Sequence, residues 1–332
     1  MKSPALHVVF GTGQIGPRLA QQLLPQGHRV RLVSRRPDEG ALRETVGPAA
    51  SGTLEVQAAD ASDPEEVAEA CAGAEVAYHC ANPPYHRWSQ DLLPLADGLR
   101  IGAGRSGARL VVLDNLYAYG RPPTAPFDED TPLAPCSHKG RLRAEARRRL
   151  FAAHASGEVQ ALSAHASDFI GPRTPRSLFS PRFLERLANG RPLEGMGDLD
   201  QVHAYTYVGD VARALAALGQ DGEAFGRAWH LPSTWTGSTR ALFAAFAERA
   251  GHPGTMVSLS PWLLRLVGLF DKDAAGLVEM LYQWSLPYVP DARRFEARYF
   301  GATPIDTVIE ATLGMPETRT ASVGRPPSTT MA

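Results

Sequence analysis

The chain has 332 residues, with 34 basic against 35 acidic side chains, and this balance gives no electrostatic case for a nucleic-acid or membrane-surface partner. A hydrophobic content of 44% is that of a globular protein and excludes wholesale disorder, while the length suits about two domains. The three cysteines, Cys71, Cys80 and Cys136, lack CxxC spacing, and no signal peptide or membrane-length apolar run is legible, so the expectation is a soluble, cytoplasmic protein without a disulfide framework.

In chain order, Leu6–Phe10 reads as a first strand, followed by Ile15, Leu19 and Leu23 at helical spacing with Pro17 in the first turn. Residues 29–33, 54–58, 76–80 and 110–113 read as further strands separated by helix-length stretches. Strands alternating with helices predict an α/β fold of Rossmann type: a doubly wound parallel sheet with helices on both faces. After about residue 170 the pattern changes. Pro and Gly are frequent over 171–197, residues 205–208 are strand-like, and helical patterns run to about Leu313. The division expected is a cofactor-binding domain over 1–170, to which residues 200–232 return, and a smaller C-terminal substrate lobe over 171–314. Residues 315–332, rich in Thr, Ser, Pro and Arg, are expected to be disordered.

Gly11-Thr12-Gly13-Gln14-Ile15-Gly16 lies between the first strand and the first helix. There small residues let backbone amides approach a pyrophosphate at the positive end of the helix. An NAD site usually presents a carboxylate about twenty residues further on. Ser34, Arg35 and Arg36 stand there instead, two guanidiniums and a hydroxyl that suit a 2′-phosphate. The expected cofactor is therefore NADP(H) rather than NAD(H). No metal site is predicted.

These and later motifs resemble the short-chain dehydrogenase/reductase superfamily, in its extended branch of NAD-dependent epimerases and dehydratases. The resemblance covers about residues 5–313. It includes Asp60 and Ala61 after the third strand, where the family contacts adenine, and Cys80-Ala81-Asn82 after His79 of the fourth. Tyr119-Gly120 is similar to the family's Tyr-Gly after strand five, Asp168-Phe169-Ile170-Gly171-Pro172 to its N-x-Y-G-P, and Tyr207-Val208-Gly209-Asp210-Val211-Ala212 to its Y-V-x-D-V-A. One glycine departs, because the extended pattern GxxGxxG would place its first glycine at Phe10.

The catalytic pattern departs further. The family carries Tyr-x-x-x-Lys, whose tyrosine exchanges a proton with the substrate and whose lysine holds the nicotinamide ribose, yet none of the nine tyrosines here has a lysine four residues later. Aligned on the resemblance, Lys139 takes the tyrosine position, Arg143 the lysine position, and Asp114-Asn115 the place of the usual Ser-Ser pair. Lys139 is one of only three lysines, with Lys2 and Lys272, so its placement is not background. Residues four apart on a helix are neighbours, so Arg143 is expected to lower the proton affinity of Lys139 and fit it for acid–base work. Asn115 would hydrogen-bond a substrate oxygen, Arg143 the ribose, and Tyr117 is the rival acid.

In nucleotide-sugar members an arginine before Y-V-x-D-V-A grips the diphosphate. His203 stands in that position and His165 replaces another frequent arginine, which argues against a nucleotide-sugar substrate. Trp262, Phe270, Trp284 and Tyr288 are accounted for mostly by ordinary core packing, with an aromatic substrate pocket as the alternative. The reading that results is an NADP(H)-dependent oxidoreductase of a small carbonyl or alcohol. Its alternatives are an epimerase or dehydratase working through transient oxidation, and a catalytically inactive NADP(H)-binding sensor or scaffold. The family resemblance adds a homodimer as the expected assembly, paired through helices near 89–105 and 139–153.

Overall fold

Five consecutive buried residues, Leu6–Phe10, apolar except for His7, form strand β1, covered on both faces as a central strand of a parallel sheet is. The computed structural model describes residues 4–48, 52–252, 254–259 and 276–314. Around β1 stand β2 (Arg29–Ser34), β3 (Thr53–Ala58), β4 (Val76–His79), β5 (Arg109–Asp114) and β6 (Ala161–His165). With β10 (Ala228–His230) they make a seven-stranded sheet in the order β10-β6-β5-β4-β1-β2-β3. Every pairing in it is parallel. The order reverses beside β1, which makes the crevice between the carboxyl ends of β1 and β4 the switch point where such sheets bind ligands.

Successive residues of one strand serve opposite faces. Val9, Val30, Tyr78 and Val111 pack with α1 (Gly16–Leu23) and α7 (Val208–Gln220) on one side. Val8, Phe10, Leu110 and Val112 pack on the other with α3 (Pro64–Ala70), α4 (Trp88–Ser106) and α5 (His138–Ala155). Each fully buried side chain of this kind contributes about 1.5–3 kcal/mol. The remaining helix of this half, α2 (Glu39–Val46), is capped by the Asp38 side chain.

Beyond β6 the chain builds a smaller unit. β7 (Asp168–Ile170) and β11 (Trp235–Ser238) flank β9 (Val202–Tyr207), and β8 (Leu193–Met196) pairs with β12 (Met256–Leu259). Helices α6 (Pro181–Ala188) and α8 (Thr239–Arg249) close over them around Phe179, Phe183, Phe243 and Phe246. A short helix α9 (Arg293–Glu296) and α10 (Ile305–Leu313) end the described chain. Boundaries differ from the sequence reading: β2, β3 and β5 run one residue further at one or both ends, β9 starts at Val202, Val208 opens α7 rather than ending a strand, and β4 stops at His79. Trp262, Phe270, Lys2, Lys272 and the tail from 315 lie outside the described residues. Among those described, no helix is long and apolar enough to cross a membrane.

Candidate active site

The turn after β1 begins at Gly11, whose φ of +111° is open to glycine and costly for other residues. A Cβ on Gly11 would stand 2.6 Å from the Ala81 nitrogen, and one on Gly16 would stand 2.0 Å from the Gly11 carbonyl oxygen. These two glycines let β1, α1 and the end of β4 meet. Gly13, by contrast, faces open space. The first turn of α1 has no side-chain cap, so its amides and positive dipole end are presented to an anion. Phe10, in place of the family's first glycine, is buried inside β1 and leaves this turn intact. Gln14 accepts from the Arg176 backbone at 3.3 Å, and Arg18 donates to the carbonyl oxygens of Gln14 and Pro172. The loop after β7 therefore sits over the turn. Thr12 is half-buried and Ile15 buried.

At the end of β2, Ser34 is half-buried, while Arg35 and Arg36 are exposed. Asp60 is held below its ordinary carboxyl value by two hydrogen bonds from Ser62, with the charge of Arg35 adding to them. Next to it, the Ala61 carbonyl lies against α4, where a Cβ on Gly98 would meet it at 2.5 Å. These groups stand at the carboxyl ends of β2 and β3: exposed guanidiniums at β2, and at β3 a carboxylate already engaged in its own turn.

The segment after β4 joins this cradle to helix α5. Burial pushes the Cys80 thiol up to about 12, and Ala81 lies beside Gly11. Asn82 Oδ1 accepts from Arg143 Nη2 at 2.7 Å. Arg143 Nη1 is 3.2 Å from Asp114 Oδ1, and its guanidinium lies 4.5 Å from the centre of the Trp88 ring. His79, buried at the foot of this group, is lowered to about 4, first by burial and then by the charge of Arg143.

Helix α5 starts at a Ser137 cap that accepts from the Gly140 amide at 3.0 Å. Its 3.6-residue period puts Lys139 and Arg143 on one buried face. Lys139 is only 5% exposed and donates to Glu279 Oε1 at 2.7 Å, with its Nζ 5.4 Å from the centre of the Tyr85 ring. The other oxygen of Glu279 accepts from the His138 amide at 2.6 Å. Burial opposes the charge on Glu279, but these bonds and the lysine charge leave its carboxyl below its usual value. Lys139 and Arg143 thus each face a separate carboxylate, Glu279 and Asp114. This is a different electrostatic setting from the two neighbouring unpaired cations that sequence spacing suggested.

The loop after β5 is tightly self-bonded. Asn115 Oδ1 accepts from the Tyr117 amide at 3.1 Å, and its carbonyl is bonded by the buried His165 at 3.0 Å. Tyr117 shares a 2.6 Å hydroxyl bond with Tyr85, and burial, followed by the charge of Tyr85, raises it well above the ordinary phenol value. His203 is buried at 0% exposure and bonds Asp168 Oδ2 at 2.6 Å through Nε2. Its Nδ1 lies 3.2 Å from the Gln283 carbonyl, and its ring stacks 4.7 Å from Trp284. Tyr288 is buried and donates to the Leu116 carbonyl at 2.8 Å.

The NAD dependent epimerase/dehydratase family matches residues 8–230. The chain belongs to that family of NAD-dependent enzymes. A dTDP-glucose 4,6-dehydratase of Actinoplanes is 27% identical over 140 residues, 42% of this chain and 43% of that protein. Agl12 of Haloferax volcanii, a low-salt glycan biosynthesis protein, is 29% identical over 115 residues, 35% of this chain and 37% of its own length. The chain therefore spans less than half the length of the curated relatives it matches. WbmG of Bordetella bronchiseptica, solved with NAD, superposes with a TM-score of 0.71 at 23% identity over 94% of both chains. DesIV of Streptomyces venezuelae, solved with NAD and DAU bound, gives 0.74 at 19% over 95% and 96%. At these identities the structures establish the shared fold.

Sequence reasoning missed Glu279, Tyr85, Trp88 and the pairing of His203 with Asp168. Glu279 lies 140 positions from the lysine it bonds, so no local spacing announces it. The juxtaposition of Asp114 with Asn115 was legible, but which of the two meets Arg143 was not.

Proposed function

We propose that the chain is an NADP(H)-dependent oxidoreductase interconverting a small carbonyl compound and its alcohol, with Lys139 as the proton-handling residue. The observation that carries this reading is the buried Lys139–Glu279 pair on the helix that also reaches the cofactor cradle through Arg143 and Asn82. The cradle fits a dinucleotide: a close-approach turn at Gly11 and Gly16, an open side at Gly13 and an uncapped helix start. When bound, the cofactor supplies or accepts a hydride at nicotinamide C4. Lys139 has three donor hydrogens, and Glu279 accepts one of them, leaving others for a substrate oxygen. In reduction the ammonium gives a proton to the developing alkoxide; in oxidation the amine takes it back. Tyr117 suits the role less, because its raised proton affinity and its bond to Tyr85 both hold the proton in place.

Ser34, Arg35 and Arg36 support the 2′-phosphate form of the cofactor. Replacing Arg35 and Arg36 with Ala is expected to weaken NADPH on the order of tenfold to a hundredfold, the loss of about 1.5–3 kcal/mol of charge-assisted bonding, with little change for NADH. Calorimetry with both cofactors tests it; equal affinity of the unmodified protein for the two overturns the preference. The same reading divides the chain into a cofactor domain over 1–170 and a substrate lobe over 171–314, in a cytoplasmic protein that pairs through α4 and α5.

A second reading, an epimerase or dehydratase of sugar nucleotides, is favoured by the dTDP-glucose dehydratase match and by the solved structure of MoeE5 with UDP-glucose and NAD. It ranks below the first because His203 replaces the diphosphate-gripping arginine that the family resemblance implies.

A further inference from the structure

Two positions that depart from the family pattern stand far apart in sequence but touch in the fold. Asp168 occupies the place of the asparagine in N-x-Y-G-P, and His203 the place of the arginine before Y-V-x-D-V-A. Their side chains bond at 2.6 Å. The histidine is wholly buried, stacked on Trp284 and bonded at its other nitrogen to the Gln283 carbonyl. The carboxylate keeps 33% of its side-chain surface open. His203 thus fixes one oxygen of Asp168, while Oδ1 has no hydrogen-bond partner among the described residues.

Position gives that oxygen its meaning. Asp168 begins β7, three residues beyond the carboxyl end of β6, the side of the sheet on which the crevice opens. Its charge is felt at the hydroxyls of Tyr117, Tyr205 and Tyr288. Around Tyr117, Lys139 and Arg143 already face the carboxylates of Glu279 and Asp114, and the His203 ring is bonded to Asp168. Arg173 and Arg176 lie on the loop over the glycine turn, where Arg176 contacts Gln14, and so belong to the cofactor side. A diphosphate brought to Asp168 would meet a carboxylate rather than an unpaired guanidinium, and like charges repel.

We infer that Asp168, oriented by His203, is the substrate-selecting residue: it accepts a hydrogen bond from a hydroxyl or ammonium group of an unphosphorylated substrate and excludes diphosphates. The inference rests on the carbonyl–alcohol reading given above and names the substrate class for it. Asp168 positions and selects; the proton transfer stays with Lys139.

The test uses the full chain saturated with NADP⁺ and four probes: dihydroxyacetone, aminoacetone, acetone and UDP. Binding is read by saturation-transfer NMR for the ketones and by calorimetry for UDP. The unmodified protein should bind dihydroxyacetone or aminoacetone, the preferred one identifying the donor as hydroxyl or ammonium, and should give no UDP complex below 100 micromolar. Asp168→Asn should weaken that ketone at least tenfold, leave acetone unchanged and raise UDP affinity. Unchanged NADP⁺ affinity will show that the variant is folded; if it is not, the UDP result on the unmodified protein still decides. A tight UDP complex of the unmodified protein overturns the inference, as does binding of neither donor ketone or an Asp168→Asn variant that treats all four probes as the parent does. Failure to bind NADP⁺ at all would instead defeat the cofactor reading, so the two can fail separately.

Discussion

Lys139 and Arg143 share a helix face, yet the consequences of removing them should differ. Lys139 pairs with a carboxylate that is 30% exposed, so Lys139→Met leaves Glu279 able to find water. Turnover is then expected to fall by about 10²–10⁴, the range for a lost general acid, with NADPH affinity nearly intact. Steady-state rates alongside cofactor titrations check this, and near-normal turnover would pass the role to Tyr117. Arg143 pairs with Asp114, and both side chains are nearly enclosed, at 7% and 5% exposure. Arg143→Met strands a buried carboxylate and should cost about 3–5 kcal/mol in urea unfolding. Adding Asp114→Asn should recover much of that loss; if the double variant is as unstable as the single one, the pair is not the cause. The lysine was legible from rarity and helical register. Its partner was not, because an ion pair between distant segments leaves no periodic trace in either.

At the scale of the element, the glycine turn separates two duties that one motif conflates. Gly16→Ala places a methyl 2.0 Å from a backbone oxygen that cannot swing aside, so α1 must shift. The expected loss is at least about 1–3 kcal/mol of stability, together with cofactor binding. Gly13→Ala meets no neighbour and should stay within about 0.5 kcal/mol of the parent while weakening NADPH, because the methyl enters the cofactor's approach. Thermal melts and calorimetry on both variants test the contrast, which an equal stability loss in the two would refute. Strands one to five were readable because runs such as Val8-Val9-Phe10 and Leu110-Val111-Val112 are continuously apolar. β6 escaped notice: Ala161-Leu162-Ser163-Ala164-His165 carries a serine and a histidine that bond each other at 2.7 Å in the buried sheet, a pair that reads in sequence as polar chain. β10 is only three residues long and offers too short a pattern to recognise.

For the whole molecule, the buried histidines set an acid limit. Burial lowers His7 to about 3, reinforced by His28, and His79 to about 4. Burial likewise holds His165 and His230 well below their ordinary value. An unfolded chain protonates these rings near pH 6.5, so below that pH it binds more protons than the folded chain and stability falls as pH falls. Each such ring contributes about 1.4 kcal/mol per pH unit between roughly pH 6 and pH 4. Glu129, raised by burial, works in the opposite direction over part of the window. Urea unfolding at pH 7, 5.5 and 4.5 should show a steepening loss; a flat profile would falsify the assignment of these rings as buried and neutral. The parallel α/β architecture itself was legible from the alternation of strand and helix patterns. The smaller unit beyond β6 was less so, since its strands pair across long intervening segments, as β8 does with β12 and β9 with β7.

The seventh strand has a consequence for how the chain is made. Hydrogen bonding along the outer side of β6 is completed only by Ala228–His230, after all of residues 166–227 have been synthesised. At ribosomal speeds of roughly 5–20 residues per second that interval lasts roughly 3–12 seconds. Throughout it the nascent sheet ends in an unpaired edge whose side chains are all destined for burial. A chain stalled or cut before residue 228 would carry a nearly finished sheet with one unpaired border, the kind of edge on which another chain can add a strand.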